Sequence, residues 1–313
     1  MELSIVIVNW NTRELLHDCL ASLEGACSPL KYEVLVVDNG SADSSAEMVE
    51  DSFPAYRLIP SGGNLGFSKG NNLAFGLCSG DFVLLLNPDT VCPAGSLAKL
   101  VSWSRGKENL GAASPMLTDG QGRPTITSGH FPHPRFHWLG FLDPMRKLPV
   151  SGLQKRVVHV PAPDEPSSIV DYIAGACFLI PRPVLEQVGP SDERFFMYFE
   201  ETDWCWRARQ AGLDIWYCCE TEVVHLEGKA AEKASTFTTR QFQKSYRLFV
   251  EKNYGAGRVS AFRLAQFMEF GMKGLLRMLV PLNRKKNKAL ADTYLQKAGI
   301  QLESDVDVDI PGA

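Results

Sequence analysis

Two apolar runs in the first third of the chain end on a carboxylate. "YEVLVVDNGSAD" places Asp38 directly after Val37, and "FVLLLNPDT" places Asp89 after Asn87 and Pro88. An acid at a strand end can accept hydrogen bonds from a base or a sugar hydroxyl, as the ribose-binding acid of nucleotide-binding sheets does. It can equally cap the next turn, and for Asp38 alone that is the simpler reading. Pro88 has no N–H and a fixed φ, so Asp89 is held with little freedom. A carboxylate held this way suits a hard divalent cation that takes its other oxygens from substrate phosphates. A plain Asn-Pro-Asp turn is the competing reading.

Between the two acids lies "SGGNLGFSKGNNLAFGLCSGD", where Gly62, Gly63, Gly66 and Gly70 loosen a loop leading into a helix expected around Asn72 to Leu77. Backbone N–H groups at such a junction can approach a phosphate or sugar. The spacing is neither GxGxxG nor GxxxxGK[ST], which counts against dinucleotide and P-loop sites. Further on, "FFMYFEETDWCWRARQAG" predicts a helix from near Glu200 to Gly212, with Glu200, Asp203 and Arg207 on one face and Glu201 about a hundred degrees away. Acids in a first turn suit the helix dipole. Three of them beside Phe195, Phe196, Tyr198, Phe199 and Trp204 can also raise one pKa towards that of a useful base. His225 follows "EVV"; a histidine there is a structural group or a ligand. His130, His133 and His137 of "HFPHPRFH" suggest zinc only weakly, because Pro132 and Pro134 oppose a helix that would align them. Cys218 and Cys219 read as packing residues.

What must position these groups is an alternation of short strands and helices. The chain of 313 residues is 45% hydrophobic and 22% charged, ordinary globular composition. A net charge of -4 argues against a general nucleic-acid binder. The eight cysteines show no CxxC pair, and the N-terminus has no basic signal-peptide region, so reduced thiols in a cytoplasmic protein are expected. Between "LSIVIV" and "EVLVV", Leu15, Leu16, Cys19, Leu20 and Leu23 repeat at helical spacing, with Thr12 or Asn11 as N-cap and Gly25 as the stop. Buried strands alternating with helices predict an α/β fold with a mostly parallel, Rossmann-like sheet. Ligands bind at the carboxyl edge of such sheets, where both acids fall.

Residues 118 to 168 are dense in Gly, Pro and Ser and read as surface excursions. "IVDYIAGACFLIP" reads as a strand, followed by a helix starting near Pro183. From Ser260 to Leu282, Arg263, Gln266, Glu269, Lys273 and Arg277 share one helical face, and Phe262, Leu264, Phe267, Met268, Leu275, Met278 and Leu279 fill much of the rest. The charges oppose a transmembrane span. With "NRKKNK" following, two readings stand: a basic amphipathic helix in a membrane interface, or a helix packed on the main domain. "ESDVDVDIPGA" reads as a frayed acidic tail.

Taken in order, "VDNGSAD", "GNLGFSKGNN", "NPD", "GAC", "FFMYFEETDWCWR" and "VVHLEG" resemble the inverting family 2 glycosyltransferases, and within them the rhamnosyltransferase-like branch of bacterial cell-wall and O-antigen enzymes. The resemblance runs from about Ser4 to Gly228. It implies a GT-A fold over residues 1–232, with a nucleotide-binding half to about 115 and an acceptor-side half beyond, then a helical extension over 233–300 and a tail over 301–313. It implies that Asp38 reads a pyrimidine base, that Asn9, Asn39, Gly66, Asn71, Asn87 and Asp89 contact a nucleotide-sugar, and that Asp89 and His225 hold Mg²⁺ or Mn²⁺. An imidazole ligand favours Mn²⁺. The implied donor is dTDP-rhamnose or a UDP-sugar, and the implied acceptor is a saccharide or lipid-linked glycan, reached at the cytoplasmic membrane face.

Three departures stand out. Glu200-Glu201 replaces the common Glu-Asp pair, which points to Glu201 as catalytic base with Glu200 and Asp203 as the other candidates. Asn87 takes the place of the first acid of the family's DxD motif. Leu226-Glu227-Gly228-Lys229 follows His225 where relatives carry a small, Ser-bearing turn. A sugar nucleotidyltransferase is the rival enzyme, although "VNWNTRELL" stands where its Gly-rich loop belongs. A non-catalytic nucleotide-sugar-binding scaffold is the rival from another class.

Overall fold

A computed structural model describes residues 1–142, 158–226, 235–279, 284–306 and 308. They form two compact units, one of described residues 1–131 and 158–226, the other of 132–142 and the described residues from 235 to 308.

The first unit is built on a nine-stranded sheet. β1 (Leu3–Asn9), β2 (Tyr32–Asp38), β3 (Arg57–Pro60) and β4 (Phe82–Leu86) are parallel neighbours in the order β3-β2-β1-β4. Beyond β4 come β10 (Cys177–Pro181), β6 (Leu110–Thr118), β11 (Asp214–His225) and β5 (Thr90–Val91), and β8 (Ser168–Val170) joins β11. β10 runs antiparallel between β4 and β6, whereas β11 is parallel to β6. The sheet is therefore mostly parallel, as expected. All seven residues of β1 are buried, as a strand covered on both faces requires. Ile5 and Ile7 enter one core, against Leu16, Leu20 and Leu23 of the helix Arg13–Cys27. Val6 and Val8 enter the other, with Ala74, Trp204 and Ala208.

Several boundaries differ from the sequence reading. Gly25 does not stop its helix, because Ala26 and Cys27 continue the buried face and their packing overrides the cost of glycine. Thr12 sits at the N-cap but gives its hydroxyl to Asn9 Oδ1. The glycine-loop helix spans Gly66–Phe75, starting six residues before the expected Asn72. Its first N–H, on Gly66, donates to Asn64 Oδ1. Gly70 lets it lie against β1, since a Cβ there would come within 2.8 Å of Val8. The expected single strand over "IVDYIAGACFLIP" is split into β8, β9 (Tyr172–Ile173) and β10. β9 pairs instead with β7 (Ser128–Gly129) in a separate two-stranded sheet, which takes up part of the expected surface excursion.

The second unit packs four helices, Arg135–Leu142, Ser235–Tyr254, Gly257–Leu279 and Arg284–Ile300. Tyr246, Phe249 and Phe262 are buried in it, with the Tyr246 and Phe262 rings edge to face at 4.6 Å. The prolines of "HFPHPRFH" precede its first helix, and His137 lies inside it. The expected frayed tail is anchored at its start. Glu303 pairs with Arg240 at 2.6 Å, its carbonyl accepts from Arg247 and Arg263, and Val306 is buried. Residues 307 and 309–313 lie outside the described residues, as do Asn283 of "NRKKNK" and the turn residues Glu227-Gly228-Lys229. Among the described residues no helix is long and apolar enough to cross a membrane.

Candidate active site

The carboxyl ends of β1, β2, β4 and β11 share one edge of the sheet, and the reversed β10 brings its first residue, Cys177, opposite Leu86 at the same edge. Asn9 pairs in register with Asp38, and one strand separates β2 from β4, a spacing of roughly 10 Å.

Asp38 ends its strand with one oxygen engaged: Oδ2 accepts from the Ser41 N–H at 3.1 Å. Oδ1 is buried and, among the described residues, meets no donor. A buried carboxylate oxygen left this way carries a desolvation cost that a donor from outside removes. Asn9 and Asn39 are also buried, but their side chains already have internal partners. Asn9 donates to Ser41 Oγ at 3.0 Å and accepts from Thr12. Asn39 donates to Asn64 Oδ1 and the Gly66 carbonyl and accepts from the Leu65 N–H. These two side chains fasten the turn after β2 to the glycine loop. Asn71 Nδ2 donates to the Phe67 carbonyl, while its Oδ1 is buried with no partner among the described residues.

The second acid meets its partner through β5. After Asn87-Pro88-Asp89 the chain pairs with β11, setting Thr90 opposite His225, and the Leu226 N–H donates to the Asp89 carbonyl at 2.9 Å. His225 Nε2 then lies 3.2 Å from Asp89 Oδ1 and 3.5 Å from Asn87 Nδ2. Among the described residues no three His, Cys, Asp or Glu side chains gather as a closed metal cluster. A carboxylate and an imidazole at one point, beside an amide, fit a divalent cation that completes its shell with substrate phosphate oxygens.

The acidic helix, Glu200–Gln210, starts from a tight elbow in which Tyr198 and Phe199 both take φ of +69°. Bulky residues seldom adopt that conformation, and two in succession mark a segment held by its surroundings. What holds it is the glycine loop. Gly66, at φ +81°, lies so close to Phe196 that a Cβ would fall 2.4 Å from its carbonyl oxygen, and the Phe67 N–H donates to that oxygen at 2.7 Å. Asn72 adds hydrogen bonds to both the carbonyl and the N–H of Ser191. The "GNLGFSKGNN" and "FFMYFEETDWCWR" stretches are thus in direct contact.

Glu200 is buried in a narrow recess, with Glu201 beside it and Phe67, Phe75, Phe178 and Trp204 among its walls. Burial, then the neighbouring Glu201 charge, pushes the Glu200 carboxyl well above its ordinary value. Its protonated form is thereby favoured, and its Oε2 is buried with no hydrogen-bond partner among the described residues. Glu201, half-buried, is raised as well, chiefly by burial, while the hydrogen bonds it accepts pull it back. Gly175 lies against Glu201, whose Cβ would be in ordinary contact, at 3.7 Å, with a Cβ at 175. The next carbonyl, of Ala176, accepts from the Asn87 N–H at 3.0 Å, which connects the acid pair to the Asp89 turn. Asp203 is not brought into this group. It is fully buried and ion-paired to Arg207 at 3.2 Å, and Arg207 clamps the Val188 and Pro190 carbonyls. Through Arg207, Asp203 holds the loop before the elbow.

Sequence reasoning missed Ser41, Asn64 and Phe196 as the residues that lock the loops together. Ser41 and Asn64 sit in turns where any polar residue is unremarkable. The three histidines have separate partners: His130 faces Asp171, His133 meets the Tyr254 ring edge-on and His137 bonds Glu269. All eight cysteines are free thiols.

This geometry agrees with comparison to known proteins. Residues 4–188 match the glycosyl transferase family 2 model. The chain is 27% identical over 304 residues to an N-acetylglucosaminyl-diphospho-decaprenol L-rhamnosyltransferase of Mycobacterium tuberculosis, covering 92% of this chain and 96% of that one. It is 27% identical over 254 residues to the low-salt glycan biosynthesis hexosyltransferase Agl10 of Haloferax volcanii, covering 80% and 73%. Its fold superposes on a mannosyltransferase of Pyrobaculum calidifontis, solved with GDP-Man and Mn²⁺, at a TM-score of 0.62 and 15% identity, over 96% and 87% of the two chains. The chain accordingly belongs to glycosyl transferase family 2 and is a glycosyltransferase of GT-A fold that takes its sugar from a nucleotide donor.

Proposed function

We propose that this chain transfers rhamnose or a related hexose, with inversion, from a pyrimidine nucleoside diphosphate to a hydroxyl of a lipid-linked saccharide. The observation that carries the reading is the convergence on one sheet edge of Asp38, the Asn87–Asp89 turn, His225 and the start of the acidic helix. Supporting it are relatives whose names specify a diphospho-decaprenol acceptor with L-rhamnose, and an undecaprenyl-phosphate acceptor.

At the base end, the unpartnered Oδ1 of Asp38 is an acceptor and calls for a donor. The N3–H of uracil or thymine supplies one, whereas cytosine presents an acceptor there, so UDP and dTDP donors suit the pocket. Asp89 and His225, with Asn87 beside them, would hold a divalent cation together with the diphosphate. When bound, that cation would neutralise charge on the departing nucleotide.

Glu201 is the residue placed to take the acceptor's proton. As the hydroxyl oxygen forms its bond to the anomeric carbon, the bond from that carbon to the diphosphate breaks on the opposite face, and the proton passes to the Glu201 carboxylate. Glu200, whose burial favours its protonated form, keeps charge off the recess floor beside Glu201. General-base assistance of this kind contributes roughly 10²–10⁴-fold.

The test is a transfer assay with dTDP-rhamnose, UDP-sugars and GDP-mannose on a polyprenyl-diphosphate N-acetylglucosamine acceptor, with Mn²⁺ and with chelator. Turnover with a dTDP or UDP donor, metal dependence and inversion at the anomeric carbon by NMR are expected. Donor binding without transfer, or pyrophosphate-dependent nucleotidyl chemistry, would replace this reading with one of its rivals.

A further inference from the structure

The helix Gly257–Leu279 buries Phe262 and Ala265 but turns most of its larger apolar side chains outward. An ordinary surface helix buries its apolar stripe and turns its charges to water. Here Gln266 and Glu269 are 1% and 7% exposed, while Leu264, Leu275, Met278 and Leu279 are 52%, 56%, 54% and 77% exposed. Spacings of three and four place Ala261, Leu264, Phe267, Gly271, Leu275 and Met278 on one outward stripe.

The polar face is fixed inward by specific partners. Glu269 accepts from His137 Nδ1 at 2.6 Å and from Lys273. Gln266 Nε2 meets His137 Nε2 at 3.3 Å, and His137 also reaches the Tyr246 hydroxyl. Arg263 donates to the carbonyls of Gln301 and Glu303. Gly274 seats the helix on Leu295, which a Cβ would approach to 2.8 Å. Rolling the helix to hide its leucines would strand a buried carboxylate and break this network, so the apolar stripe faces outward by construction.

We propose that this stripe docks the chain on an anionic lipid surface, lying in the headgroup layer without crossing it. The charge of the segment selects that occupant. From Arg258 to Lys297 the sequence carries nine Lys or Arg against two acids, a local net of +7 in a chain whose total is -4. An apolar stripe on a basic segment is attracted to anionic headgroups. Packing the stripe on a second copy would instead bring two such +7 segments together. The inference rests on this unit alone and stands whether or not the proposed reaction is correct.

The test is flotation of the full chain with phosphatidylcholine vesicles, alone and with phosphatidylglycerol added, alongside sedimentation velocity without lipid. Binding to the anionic vesicles, weakened by salt, is expected. The double substitution Leu275→Asp with Met278→Asp should weaken it by more than about tenfold. Leu302→Asp, at a leucine 69% exposed away from the stripe, should leave it unchanged. Both variants should keep the parent's thermal midpoint, since the side chains are exposed. Failure to float with anionic vesicles at low salt, equal binding by the double variant, or a dimer that the double variant dissolves while vesicle binding persists would each overturn the proposal.

Discussion

Replacing Gly66 by alanine tests the contact on which the site's assembly depends, and Gly62 provides its control. Both glycines are left-handed, at φ +81° and +82°. An alanine in that conformation costs about 1–2 kcal/mol, offset in part by a stiffer unfolded chain, about 0.4–1 kcal/mol. At Gly62 nothing lies within 4 Å of the new Cβ, so this is the whole effect. At Gly66 the Cβ would sit 2.4 Å from the Phe196 carbonyl oxygen and 2.6 Å from its ring. Relief requires the loop to retreat by about 1 Å, with an overpacking cost of about 1–3 kcal/mol. It also breaks the hydrogen bond from the Phe67 N–H, worth about 1 kcal/mol more. Gly66→Ala should therefore be less stable than Gly62→Ala by about 2–4 kcal/mol. At roughly 2–4 °C per kcal/mol, the two thermal midpoints should differ by on the order of 10 °C. Circular dichroism melts read the gap, and nucleotide titration should show weakened binding in the Gly66 variant alone. Midpoints within about 1 °C of each other would mean that the glycine loop does not rest on Phe196.

Glu201→Gln should lower transfer by roughly 10²–10⁴-fold while leaving nucleotide affinity near that of the parent, read by turnover and calorimetric titration. If turnover persists, the base is elsewhere. Asp89→Ala should abolish the metal dependence of nucleotide binding, and an unchanged Mn²⁺ titration would remove Asp89 from the metal site. Burial raises Glu200 above its ordinary 4.5, so the folded chain binds that proton more tightly than the unfolded one. Its contribution to stability is present below about pH 4.5 and is lost as pH rises through the folded value. Glu200→Gln should remove this loss, flattening the decline of thermal midpoint with rising pH; parallel profiles would refute it. Asp203→Ala, which breaks the pair with the partly exposed Arg207, should cost about 2–4 kcal/mol by urea unfolding. Glu201→Gln should not share that loss.

The parts of the fold that could be read from the chain are those where one strand's own pattern suffices. β1, β2 and β4 are unbroken apolar runs, and the polar residues that end them fall at one edge because parallel strands share a direction. The direction of β10 could not be read this way, because "CFLIP" is equally apolar whichever way it runs. The start of the helix at Gly66 was hidden because glycine argues against helix locally. The positive φ and the close approach to Phe196 explain why glycine is there. The role of Asp203 was hidden too: three acids in a first turn look equivalent until burial separates Glu200 in its apolar recess from Asp203 against Arg207. Periodicity of the helix Gly257–Leu279 showed two faces but not which one turns inward, since that depends on His137, more than a hundred residues earlier.

The contact between the glycine loop and the elbow at Tyr198–Phe199 has a thermodynamic corollary. Because Gly66 and Asn72 touch the segment that carries the acid pair, whatever steadies the loop also steadies the general-base candidate, and the reverse holds by reciprocity. A nucleotide seated first would leave the second substrate less ordering to accomplish on arrival. The two substrates would then bind cooperatively, the affinity of each raised by the other in equal measure.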